Sequence, residues 1–86
     1  MKEQFENNAI KFISTYYPNL RIDYDGNGLS LYKDNMLLTY ALNAEDFLHD
    51  FIIIRATLYG YNITEYKPEE ATALHILINE GFKKWL

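Results

Sequence analysis

The sequence predicts an α+β fold, a three-stranded antiparallel meander packed on one face by helices, in the order α-β-β-β-α-α. Two observations carry this prediction. Apolar residues recur with a period of about 3.6 at both ends of the chain but about 2 between Leu20 and Leu42. Gly, Asn and Asp cluster where the short-period segment would reverse. The 86 residues suit one domain, 1–86, since domains usually run to about 100–150 residues.

Residues 2–17 place Phe5, Ala9, Phe12, Ile13 and Tyr16 on one helical face, with Lys2, Glu6, Asn7 and Ser14 among the polar remainder. Pro18-Asn19 ends that helix, because the residue before a proline is pushed out of the α region. Leu20, Ile22 and Tyr24 then alternate with Arg21, Asp23 and Asp25. A loop at 25–28 sets Tyr24 opposite Leu29 and Ile22 opposite Leu31. A two-residue turn at Asp34-Asn35 sets Leu31 opposite Leu38 and Leu29 opposite Tyr40. Both turns together put Leu20, Ile22, Tyr24, Leu29, Leu31, Met36, Leu38, Tyr40 and Leu42 on one face. The other face receives Arg21, Asp23, Ser30, Tyr32, Leu37, Thr39 and Ala41.

Asn43 suits an N-cap, followed by Glu45 and Asp46 in the first turn, where acids complement the helix dipole. This helix is expected to run to Tyr59 and end at Gly60. Phe47, Leu48, Phe51, Ile52, Ile54 and Leu58 cover more than half its circumference, so it is expected to be central and buried on two sides. Residues 61–66 fit either a linker or a short strand. Pro68 opens a last helix with the stripe Ala71, Leu74, Ile78, Phe82 and Trp85.

Composition excludes several functions. The chain has no cysteine, hence no thiol catalysis, disulfide or thiolate metal site. Eight basic residues against twelve acidic ones give a net charge of −4, the wrong sign for gripping phosphates, so no direct nucleic-acid contact is expected. The N-terminus has no apolar signal segment, and Phe51–Ile54 is far shorter than the roughly 20 residues that span a membrane. A cytoplasmic protein without a membrane contact is expected. The chain has no nucleophile elbow or phosphate-cradling loop. His49 could meet Glu45 or Asp46 at helical spacing as an acid–base or metal pair, but an exposed residue on the helix flank is the stronger expectation. His75 reads as a boundary residue beside the stripe of the last helix. No enzyme activity, cofactor or metal is therefore expected.

Asp23-x-Asp25-Gly26-Asn27-Gly28, with Asp34 at the twelfth position, follows the spacing of an EF-hand calcium loop. The last ligand is the shorter Asp, position eight is Ser30, and Pro18 stands where the incoming helix belongs. A β-hairpin turn is the stronger expectation, and a calcium-binding module at 23–34 is a third functional reading. Acids gather at Asp23, Asp25 and Asp34, at Glu45, Asp46 and Asp50, and at Glu65, Glu69 and Glu70. Turns and helix starts attract acids for local reasons. The functional alternative is an acidic surface offered to a basic groove. Of the eight tyrosines, Tyr32, Tyr59, Tyr61 and Tyr66 fall outside the expected buried stripes, and Tyr suits binding surfaces. Tyr32 and Leu37 would pair on the outer sheet face, the best candidate contact platform.

In element order and acidity the chain resembles small phage anti-CRISPR proteins. That resemblance implies an inhibitor presenting carboxylates where a nuclease would bind DNA. The α-β-β-β-α beginning is also similar to double-stranded-RNA-binding domains, but Glu45, Asp46 and Asp50 stand where those domains carry phosphate-binding lysines. The leading expectation is a non-catalytic module that binds a host nucleic-acid-handling protein. It would use Asp23, Asp25, Asp34, Glu45, Asp46, Asp50, Tyr32, Leu37, Tyr59, Tyr61 and Tyr66. The alternative is a homo-oligomeric assembly protein that pairs apolar helix faces, a homodimer in its simplest form.

Overall fold

The computed structural model describes residues 2–59 and 67–81. In chain order these form α1 (Lys2–Tyr16), β1 (Leu20–Tyr24), β2 (Leu29–Lys33), β3 (Met36–Ala41), α2 (Ala44–Tyr59) and α3 (Pro68–Gly81). The α+β class and the order α-β-β-β-α-α are those the sequence predicts. The strands form one antiparallel sheet in the order β1-β2-β3. α1 packs along β1, α2 along β3, and α3 leans on both helices, mainly α1. Gly60, Phe82, Trp85 and the segment 61–66, with its linker-or-strand alternative, lie outside the described residues.

Local chemistry explains the element ends. Asp34 and Asn35 adopt φ of 51° and 69°, the left-handed pair that a tight two-residue hairpin needs. Asn43 caps α2: its Oδ1 accepts the Asp46 N–H at 2.9 Å, and its Nδ2 donates to Asp46 Oδ2 at 3.1 Å. Pro68 begins α3, where a missing N–H costs nothing.

The first hairpin keeps the expected register, with Tyr24 opposite Leu29 and Ile22 opposite Leu31. The second keeps it only beside the turn, where Tyr32 faces Leu37 and Lys33 faces Met36. Between Leu31 and Tyr32 the register then shifts by one, so Leu31 faces Thr39 and Leu29 faces Ala41. Leu38 is the extra residue of this β-bulge. The bulge corrects the expected inner face: Ala41 is buried, whereas Tyr40 and Leu42 are exposed and Leu38 is half-buried. Met36, beside the turn where the register holds, is exposed as well. Two contacts accompany the shifted register. Thr39 Oγ1 donates to Asp50 Oδ2 on α2 at 2.8 Å, and the Tyr40 ring lies over Gly28.

The core lies between the sheet and the helices. Phe12 and Tyr17 meet Phe51 edge-on at centroid distances of 5.8 and 5.3 Å, and Phe5 meets Phe47 similarly at 6.3 Å. On α1 the buried line is Phe5, Ala9 and Ile13, continued by Tyr17 just past its end, with Phe12 and Glu6 beside it. Glu6 is thus buried although expected among the polar remainder, and Tyr16, expected inside, is half-buried. α2 buries a single stripe of Phe47, Leu48, Phe51 and Arg55 rather than two sides, and leaves Ile52, Ile53 and Leu58 exposed. On α3 the buried residues are Glu70, Leu77 and Gly81, while Ala71, expected to face inward, is exposed.

Candidate functional site: the outer sheet face

The face of the sheet turned away from the helices consists of two cross-strand rows. One is Arg21–Tyr32–Leu37 and the other Asp23–Ser30–Tyr40. The Arg21 guanidinium lies 4.1 Å from the Tyr32 ring centroid, a cation–π contact, and its Nη1 also donates to Asp23. Tyr32, half-buried on the central strand, thereby sits in the middle of the face. Leu37 and Tyr40 stand beside it, 52% and 44% exposed. The expected Tyr32–Leu37 pair is therefore formed. The bulge adds Tyr40, which the regular alternation had assigned to the core.

Tyr40 is tied to the loop at one end of this face. Asp25 Oδ1 accepts the N–H groups of Asn27 and Gly28 at 2.8 and 2.9 Å, and its Oδ2 accepts the Tyr40 hydroxyl at 3.0 Å. These bonds stabilise the ionised carboxylate. The Gly28 N–H does most to hold Asp25 below its ordinary range, then that of Asn27, then Tyr40. Donating to this carboxylate in turn raises the Tyr40 hydroxyl above its ordinary value.

The fold does not gather the acids into one cluster. Asp23 and Asp25 lie at one end of β2, and Asp34 lies in the turn at the other, about 13 Å away along the strand. The spacing that suggests an EF-hand thus belongs to a strand, a loop and a strand. Among the described residues no group of three His, Asp or Glu side chains is placed to hold a metal ion. Asp46 is engaged in the α2 cap and Asp50 with Thr39, with His49 Nδ1 3.8 Å from its other oxygen. Glu45 is half-buried at the start of α2. The side chain of Tyr59, together with Tyr61, Glu65 and Tyr66, lies outside the described residues.

A second polar constellation is internal. The Tyr17 hydroxyl donates to Glu70 Oε2 and accepts from Arg55 Nε at 3.2 Å, joining α1, α2 and α3. All three residues are buried. Burial is the largest cause of the raised Tyr17 pKa, the Glu70 bond adds to it, and Arg55 opposes it. At the other end of α3, Glu80 accepts from Asn8 Nδ2 at 2.8 Å and Gln4 Nε2 at 3.2 Å. Between these two ties a groove of about 290 Å3 separates the helices, lined by Phe12, Tyr16, Ala73, Ile76 and Leu77 with Lys11 at its rim. The charged types of Arg55 and Glu70 concealed the internal constellation in the sequence. Tyr17 is passed over for Tyr16 in the expected stripe, although positions 5, 9, 13 and 17 advance by fours along one helical line.

No described helix is long and apolar enough to cross a membrane. Comparison of the chain with protein-family models, curated proteins and solved structures gives no match, so any functional reading rests on the chain's own surface.

Proposed function

We propose that this chain is a non-catalytic protein-binding module whose contact surface is the outer sheet face. The observation carrying this reading is the Arg21–Tyr32–Leu37 row with Tyr40 beside it. It combines a stacked aromatic, an exposed leucine and a tyrosine whose hydroxyl is already anchored. Such a surface loses little side-chain freedom on binding, and Tyr and Arg carry much of the energy in protein interfaces. Asp23 and Asp25 rim the face at its loop end, so the partner it fits is apolar at the centre and basic at that edge. The narrower form of the proposal is an inhibitor covering a basic, nucleic-acid-binding groove. It draws on those two acids and on the resemblance in element order.

The test is affinity capture from a host lysate with the wild-type chain and with Tyr32→Ala, Leu37→Ala and Tyr40→Phe/Leu37→Ala variants. A specific partner lost with the face variants and retained by Asp34→Asn, at the far end, supports the reading. Capture indifferent to every face variant overturns it. Asp23→Asn addresses the acidic rim at its ion pair with Arg21, whereas Asp25 and Asp46 hold the loop and the cap. Binding that neither this change nor added salt weakens removes the inhibitor form.

A further inference from the structure

We propose that β3 is the seam of a twofold dimer, in which the β3 strands of two copies pair antiparallel and two meanders become one six-stranded sheet. The dimer shares Leu37 and Tyr40 with the contact face above but uses the strand edge, and it stands or falls independently of that face.

The two edges of the sheet differ in kind. β1 carries Arg21 and Asp23, both well exposed, and charges on an edge strand deter pairing with another chain. β3, Met36-Leu37-Leu38-Thr39-Tyr40-Ala41, has no charged residue, no proline and no glycine. Among the described residues the bulge at Leu38 is the device that blunts this edge. Among the described residues no strand pairs with its outer side.

What flanks that edge defines the occupant. On the outer side stand Leu37 and Tyr40. On the helix side Leu38, Ile53 and Ile54 line a recess of about 280 Å3, and Ile53 is 52% exposed. Asp50, the acid among the residues lining this recess, already accepts from Thr39. A strand entering here must be extended, uncharged and apolar on both faces. β3 itself has those properties, so the site is self-complementary, as an interface on a twofold axis must be. The chain's net charge of −4 opposes self-association over most of its surface, but along Met36–Ala41 no like charges come to face each other. A standard interface takes about 800 Å2 from each partner, about one-seventh of this chain's 5785 Å2. The strand supplies only part of that area, and Met36, Leu42 and the exposed Ile53 on either side of it supply more.

Sedimentation equilibrium on the full chain from micromolar to millimolar concentration tests the proposal. The expected mass rises with concentration from 10.2 kDa to twice that value. Leu37→Lys puts a charge from each copy into the seam at an exposed site and is expected to weaken the dimer about tenfold or more, with the circular dichroism spectrum unchanged. Arg21→Ala, on the guarded edge, leaves the dimer intact. Amide exchange of β3 slows as concentration rises, and that of β1 does not. A mass of 10.2 kDa at every concentration overturns the proposal and leaves the edge to a strand from another protein. A dimer unaffected by Leu37→Lys, or one without added β3 protection, overturns it as well. Tyr32→Ala separates the two proposals: on the central strand, it should reduce partner capture without changing the mass.

Discussion

Replacing Tyr17 by phenylalanine removes one oxygen atom from a buried junction of three helices. Tyr17, Arg55 and Glu70 are 5%, 6% and 7% exposed. The ring of the variant keeps its contacts with Phe12 and Phe51, so the cost isolates the hydroxyl. That hydroxyl is the partner of Glu70 among the described residues, and Arg55 donates to it as well. A hydrogen bond to a charged group is worth about 1.5–3 kcal/mol, and a buried carboxylate left without a partner costs at least as much. The expected loss is about 2–4 kcal/mol, a large share of the roughly 4–13 kcal/mol usual for a chain of this size. Thermal unfolding should fall by about 10–20 °C. Glu70→Gln keeps an acceptor while removing the buried charge. A double-mutant cycle with Tyr17→Phe should show a coupling of about 1 kcal/mol or more, measured by urea denaturation. A Tyr17→Phe cost below about 0.5 kcal/mol, or additivity of the two changes, would refute the reasoning.

The raised Tyr17 value also sets an alkaline limit: its contribution is fully present below the ordinary tyrosine value near 10 and is lost as pH rises from there through the folded-state value. Urea midpoints measured upward from pH 9 should therefore decline more steeply for wild type than for Tyr17→Phe. Asp25, lowered by its loop bonds, contributes order above its unfolded value and loses it as pH falls through its folded value. Carbon-detected NMR titration should find it among the most acidic aspartates, and Tyr40→Phe should raise it. A methyl group on Gly28 would lie 2.6 Å from the Ala41 carbonyl oxygen and 2.9 Å from the Tyr40 ring. Gly28→Ala should therefore cost about 1–3 kcal/mol in denaturant unfolding.

The fold was legible wherever a local rule had no rival. The Asp34-Asn35 turn, the Asn43 cap and the first hairpin follow from turn chemistry and alternation, and the Tyr32–Leu37 pair follows from the turn beside it. What escaped depended on tertiary partners. Leu38, Tyr40 and Leu42 alternate like core residues, and the contacts that accompany the opposite arrangement, Thr39 with Asp50 and Tyr40 over Gly28, come from distant segments. The charge of Arg55 and Glu70 assigns them to the surface until Tyr17 is seen between them. Ile52 and Leu58 err the other way: their apolarity suggests burial, and the structure leaves them facing outward. Of the acids, Asp25 and Asp34 sit in turns and Asp46 in a cap, whereas Asp23 lies in β1 and Asp50 within α2. Their separation along β2 could be seen only once the strands were placed.

The extra residue at Leu38 works like an added step in a two-beat rhythm, changing the parity of everything after it. Were the same residues paired without a bulge, Tyr40 and Leu42 would swing toward the helices, and Thr39 and Ala41 would turn to the water. The chain would gain greasy bulk inside and lose the aromatic hydroxyl now fastened to Asp25. Removing Leu38 itself should therefore restore regular pairing and leave Thr39 and Ala41 inward and Tyr40 outward. On this view the display of Tyr40 is a matter of counting, decided by one residue without a place in the ladder.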